Sequence, residues 1–99
     1  MEFTDVVRRR RSVRSFEACE VPDEVVVRIL EAGRLAPSGC NIQNREFIVI
    51  RDRKTLRTLD VCVQPVFAEA ACAIALLMEP TDTKWGSYWV EDAAAAAEN

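Results

Sequence analysis

Two uninterrupted apolar runs constrain this chain more than anything else in it: Phe47-Ile48-Val49-Ile50, and the nine residues AACAIALLM from Ala70 to Met78. A stretch without a polar residue has no face to offer to water, so both runs belong where the core is thickest. The first is short, rich in β-branched side chains and bounded by charge, which predicts a buried strand. The second holds enough alanine for a helix, but Pro80 follows closely, and a strand at a sheet centre fits equally well. With 99 residues in all, the chain forms one domain at most.

Helical signals surround these runs. Thr4 can cap a short helix running to about Arg10, with Asp5 in its first turn and Val6 and Val7 as an apolar patch. Val21-Pro22-Asp23 opens a second helix, because proline fits the first turn and aspartate favours its positive end. Val25, Val26, Ile29, Leu30 and Gly33 recur at helical spacing and predict a buried face. Pro37 ends that helix. Asp52 to about Asp60 reads as a third helix with Leu56 and Leu59 on one side, broken by Gln64-Pro65. Thr81 to Ser87 reads as a loop, and Trp89 to Glu98 as an alanine-rich helix suited to close packing against another. No internal repeat is visible.

Charge is unevenly spread. Residues 1–57 hold 12 of the 13 basic residues against 9 acids, whereas residues 58–99 hold Lys84 alone against 7. This asymmetry predicts an anionic ligand for the first half. There is no histidine, and Cys19, Cys40, Cys62 and Cys72 show no C-x-x-C spacing, so a metal site is not expected. Cys62 and Cys72 read as core, and Cys40 as a small filler within a polar loop. No apolar run reaches the roughly 20 residues that span a bilayer, and no secretory signal is evident at Arg8 to Arg11. The expectation is a soluble, cytoplasmic protein with reduced thiols.

Two constellations carry chemistry. The first is Arg8-Arg9-Arg10-Arg11-Ser12-Val13-Arg14. Arginine forks bind phosphate oxygens bidentately, and a serine hydroxyl adds a neutral hydrogen bond. Neighbours on a helix point about 100° apart, so Arg10, Arg11 and Arg14 converge only if the helix ends near Arg11 and the chain turns. A solvated basic face, or a patch for nucleic acid or membrane, is the plainer alternative. The second is Ala36-Pro37-Ser38-Gly39-Cys40-Asn41-Ile42-Gln43, just before the first apolar run. Small residues let a flat ligand approach the backbone, and Asn41 and Gln43 each offer a donor and an acceptor to a ring edge. An ordinary helix-to-strand connection is the alternative here.

In their order and spacing, R-R-S-V-R-S-F (Arg10 to Phe16), A-P-S-G-C-N-I-Q (Ala36 to Gln43) and F-I-V-I (Phe47 to Ile50) resemble the nitroreductase family of FMN-dependent NAD(P)H oxidoreductases. The closing D-A-A-A-A-A-E-N (Asp92 to Asn99) is similar to the start of that family's long central helix. The resemblance implies an α+β fold, a sheet flanked by helices, and an intertwined homodimer with FMN at the interface. It implies that Arg10, Arg11, Ser12 and Arg14 hold the FMN phosphate and the flavin's pyrimidine edge, with Arg14 stabilising negative charge there. Pro37, Ser38, Gly39, Asn41 and Gln43 then form the loop that reaches the partner subunit's FMN. Hydride passes from NAD(P)H through the flavin to a small-molecule acceptor such as a nitroaromatic or a quinone. No side chain of this chain needs to act as a nucleophile, so no catalytic residue is assigned. Asn44-Arg45 stands where the family often has Pro-Trp.

Family chains are about twice as long, so the sequence corresponds to the family's amino-terminal half: a truncated gene product, an incomplete sequence or an unusually reduced member. The alternative is a non-catalytic remnant that associates with another chain or with itself and binds flavin weakly or not at all. A small nucleic-acid-binding module built on Arg8 to Arg14 fits poorly, since the second half is acidic and no aromatics interleave with the arginines. Trp85, Tyr88 and Trp89 read as packing residues, and Glu91 and Asp92 as acids favouring a helix N-terminus.

Overall fold

The computed structural model describes residues 1–99. It contains four α-helices, α1 (Phe3–Arg9), α2 (Asp23–Arg34), α3 (Arg53–Cys62) and α4 (Trp89–Glu98), and four strands, β1 (Arg45–Ile50), β2 (Ala73–Met78), β3 (Asp82–Thr83) and β4 (Gly86–Ser87). The fold is α+β, as expected, and both apolar runs are strands. They pair antiparallel with Phe47 opposite Leu76, Val49 opposite Ile74 and Ile50 opposite Ala73. Pro80, just beyond β2, is consistent with the run ending as a strand rather than continuing as a helix. Helix α4 packs on β2 and on α2. The packing is close because the facing residues are small: a Cβ on Gly33 of α2 would stand 3.5 Å from the Ala96 carbonyl oxygen of α4 and 2.9 Å from the Phe47 ring.

Helix starts follow local chemistry, with two corrections. At α3, Asp52 accepts hydrogen bonds from the Thr55 N–H (2.8 Å) and the Thr55 hydroxyl (2.6 Å), satisfying a donor that the helix leaves free. At α1, Thr4 is not the cap. The helix already includes Phe3, with Glu2 before it and no side-chain cap. Pro22 stands just outside α2 rather than in its first turn, and Asp23 and Glu24 supply the acidic start. Helix α2 stops at Arg34, ahead of Pro37, and α3 stops at Cys62, ahead of Gln64-Pro65.

Burial is the main departure from expectation. Only 7 of the 99 residues are buried, and the apolar ones are Val26, Ala36, Leu56, Ala70 and Ala96 beside Gly33. On α2, Ile29 is 51% exposed although the helical spacing assigned it to the core. Strand β1 alternates between half-buried and exposed residues, and Ile48 and Leu77 are exposed on the two strands. Within these 99 residues only α4 packs broadly on the sheet, so part of the apolar surface of the strands and of α2 has no element over it. Cys62 is exposed, not core, because it lies in the last turn of a helix that buries only Leu56. The segment read as a loop contains the β3–β4 hairpin, with Asp82 opposite Ser87 and Thr83 opposite Gly86. No helix is long and apolar enough to cross a membrane.

The radius of gyration is 15.3 Å, against about 13 Å for a compact chain of this length. The accessible surface is 7847 Å² for 11.1 kDa. A folded monomer of that mass exposes about 5,700 Å² by the usual scaling.

Candidate functional site

Helix α1 releases the arginines. At Arg10 the backbone leaves helical conformation (φ −55°, ψ 129°) and residues 10–16 form no regular element. Arg10, Arg11 and Arg14 therefore lie beyond the helix in irregular chain and are not spread around it. Arg8, Arg9, Arg10, Arg11 and Arg14 are exposed and enter neither of the two salt bridges, which are Arg34–Glu31 and Arg51–Asp23. Their guanidinium donors are free for a guest. An anionic phosphate fits this donor set.

The second segment is a built turn. Residues Gly39–Asn41 form a single 3₁₀ turn, and Cys40, Asn41 and Gln43 all have positive φ (55°, 54° and 57°). Non-glycine residues adopt this left-handed region rarely, and three within four positions require anchors. The Gly39 N–H donates to Asp92 Oδ1 at 2.8 Å, from the first turn of α4. The Asn41 N–H donates to the Ser38 carbonyl (2.9 Å), and the Gln43 N–H donates to Ser38 Oγ (3.0 Å). Gln43 Nε2 donates to Asn41 Oδ1 (2.8 Å). The Asn41 amide nitrogen and the Gln43 amide oxygen remain without a partner, a free donor and a free acceptor on an exposed turn.

The Asn44-Arg45 pair has its own task. Arg45 donates to the carbonyls of Arg34 (3.0 Å), Pro37 (3.4 Å) and Ala36. It thereby satisfies acceptors that the C-terminus of α2 leaves free and ties the turn's approach to β1. Asn44 bridges to the end of β2, donating from Nδ2 to the Glu79 carbonyl and accepting the Glu79 N–H through its backbone oxygen at 3.0 Å.

Asp92 meets the turn in a way its place at a helix start does not announce, whereas Tyr88 packs, as expected. Asp92 is 7% exposed and bonds a loop 53 residues away, so it does more than favour the helix dipole. Tyr88 packs on Gly39. Trp85 and Trp89, expected to pack, are 69% and 39% exposed. The acidic D-A-A-A-A-A signal marked the position of Asp92 but not its partner.

The structure gives Arg10–Arg14 and Ser38–Gln43 no hydrogen bond or ion pair in common. Neither segment opens into the cleft of about 770 Å³ that lies between residues 16–20 and 68–71. Its Arg51 and Arg53 are already committed to Val21, Asp23, Ala68, Ala70 and Ala71. Gln43 alone of the expected residues borders a cleft, shared with Glu31, Arg34, Arg45 and Phe47. Beside it, Arg34 holds the Glu31 carboxyl below its ordinary range, through a hydrogen bond and then through charge. No grouping of Cys, Asp or Glu side chains could hold a metal ion.

The nitroreductase family model matches residues 7–97. A protein of Archaeoglobus fulgidus named as an NADH dehydrogenase/NAD(P)H nitroreductase is 35% identical over 101 residues, covering 99% of this chain and 58% of its own length. The solved FMN-dependent nitroreductase of Clostridium difficile R20291 superposes with a TM-score of 0.86 at 31% identity, covering 97% of this chain and 56% of that one. A Desulfovibrio desulfuricans nitroreductase structure solved in complex with FMN gives 0.80 at 30% identity, covering 96% and 57%. The chain thus spans little more than half the length of the relatives it matches, and over that span it belongs to the nitroreductase family.

Proposed function

We propose that this chain corresponds to the amino-terminal half of an FMN-dependent oxidoreductase that takes hydride from NAD(P)H and reduces nitroaromatics, quinones or similar acceptors in the cytoplasm. The observation that carries this reading is the coexistence, within the family-matched span, of an unpaired arginine segment and an anchored left-handed turn with a free donor and acceptor.

Arg10, Arg11 and Arg14 bind the phosphate and the flavin's pyrimidine edge, with Ser12 donating or accepting as needed. Arg14 holds negative charge at that edge. Ser38, Gly39 and Asn41 bring backbone close to a flat ring, Pro37 fixes the entry to the turn, and Gln43 pairs with Asn41. FMN, when bound, supplies hydride transfer between the nicotinamide and the acceptor.

The two segments act on one flavin across two subunits. Helix α1 packs broadly on no other element of its own chain. The surface of 7847 Å² exceeds the expectation for a compact monomer by about 2,100 Å², in a chain that spans little more than half the length of its relatives. Phe3, Val6, Val7 and Val13 are among the exposed apolar residues on that arm. A second reading, a remnant that pairs with another chain without catalysis, is favoured by the same scant burial and by the half-length match.

One experiment separates them. The purified chain is reconstituted with FMN, desalted, and assayed for visible flavin absorbance and for mass in solution. Bound flavin on a dimer supports the oxidoreductase reading, and a colourless protein leaves the remnant.

A further inference from the structure

We infer that Asp92 is a positioning residue, whose carboxylate holds the Ser38–Gln43 turn in the shape that receives the flavin. The inference rests on the flavin reading above and goes beyond it by assigning a role to a residue that would not touch the cofactor.

Asp92 is the one buried charged residue in the chain. A buried carboxylate is costly unless donors surround it, and the donor that this chain brings to it is the Gly39 N–H at 2.8 Å. The other edge of the same peptide unit is also bonded, since the Ser38 carbonyl accepts the Asn41 N–H at 2.9 Å. The Ser38–Gly39 peptide plane is therefore fixed from both sides, one by the turn itself and one by a distant helix. Tyr88 closes the third side by lying against the α-carbon of Gly39. From this fixed plane the chain passes through Cys40, Asn41 and Gln43 in left-handed conformation. Asparagine tolerates that region, whereas cysteine and glutamine adopt it only where their surroundings impose it.

The result is functional as well as structural. With the plane fixed, the Gln43 amide donates to the Asn41 amide, which leaves the Asn41 amide nitrogen and the Gln43 amide oxygen as a free donor and a free acceptor. Releasing Gly39 from Asp92 frees the peptide to rotate and separates that pair. Asp92 thus acts on the ligand through the turn, and its effect is on geometry and not on the ligand's charge.

The test uses Asp92→Ala and Asp92→Asn beside the wild-type chain. Asparagine keeps an acceptor oxygen in place and alanine removes it. Backbone amide exchange at Gly39 is followed by NMR without flavin, and FMN affinity and the visible circular dichroism of bound flavin are then measured. Gly39 should be protected in wild type and Asp92→Asn and exchange at least about tenfold faster in Asp92→Ala. FMN affinity should fall about tenfold or more in Asp92→Ala, with an altered flavin dichroic band, and stay within about threefold of wild type in Asp92→Asn.

Equal Gly39 exchange in all three proteins overturns the inference, as does an Asp92→Ala chain with freed Gly39 and unchanged FMN affinity. If alanine unfolds the chain, the asparagine variant decides: a tenfold loss there overturns the inference, and near-wild-type binding and dichroism support it. A wild-type chain that binds no FMN overturns the flavin reading separately, and the flavin-free Gly39 series still decides whether Asp92 holds the turn.

Discussion

Tyr88 fills the space that a side chain on Gly39 would need: a Cβ there would stand 2.5 Å from Tyr88 Cδ2 and 2.7 Å from Tyr88 Cβ. The tyrosine cannot yield easily, because its hydroxyl donates to the Trp85 carbonyl at 2.7 Å and its Cβ belongs to the start of α4. Gly39→Ala should therefore destabilise the chain by about 1–3 kcal/mol, the usual range for an overpacked contact. It should also weaken FMN binding, because the turn must move away from α4. Urea denaturation and flavin titration of the same variant check both effects, and an alanine variant of unchanged stability would show that the contact is loose.

Arg10→Ala combined with Arg14→Ala should lower FMN affinity by about 10- to 100-fold, since each charge-assisted hydrogen bond is worth about 1.5–3 kcal/mol before the remaining cations compensate. Riboflavin lacks the phosphate and should lose less. Neither arginine enters a salt bridge, so the far-ultraviolet spectrum and the unfolding midpoint should stay put. Equal losses for FMN and riboflavin would remove the phosphate assignment.

Leu56 is fully buried, the only large side chain of which this is true. Leu56→Ala should cost about 2–5 kcal/mol, a large share of the roughly 5–15 kcal/mol that holds a domain together. Val61 lies on the same helix but is 86% exposed, and Val61→Ala should shift stability by no more than about 0.5 kcal/mol. Guanidinium unfolding of the pair gives the comparison, and similar costs at both positions would contradict the placement of α3.

Asp52 should carry an acid dependence. The Thr55 hydroxyl, and then the Thr55 N–H, hold its carboxyl below the ordinary 3.8. A group whose folded value is lowered adds stability above its unfolded value and loses it as pH falls through the folded one. The cap's contribution is thus complete above about pH 4 and fades on further acidification. Asp52→Asn retains an acceptor for Thr55 but cannot titrate there. The difference in unfolding midpoint between wild type and Asp52→Asn should narrow as the pH drops below that window. The Glu31–Arg34 pair titrates in the same direction, but it is present in both proteins and cancels. A difference that does not change with pH would discount the cap.

The local signals in the chain were reliable where a few neighbouring residues decide the outcome. Asp52 with Thr55 starts a helix on its own chemistry, and Phe47–Ile50 is extended because its β-branched side chains favour a pleat. Burial was less legible. Ile29 and Cys62 follow apolar patterns yet stand exposed, because periodicity says which face is apolar and not whether another element covers it. The task of Arg45 was illegible for a related reason. Its guanidinium serves carbonyls 8 to 11 residues earlier, and those acceptors face it only once α2 and β1 lie side by side.

The amino-acid order by itself determined the helices, the Phe47–Ile50 strand, the basic segment after α1 and the small-residue turn, because each depends on local propensity or spacing; that the Ala70–Met78 run ends as a strand was settled by its pairing with β1. Only the tertiary structure decided that Asp92 and Tyr88 anchor that turn, since both meet Gly39 across about half the chain. A contact of that kind has no local signature: the carboxylate is an ordinary helix-start residue until α4 docks against α2 and β2 and brings it to a half-buried backbone N–H.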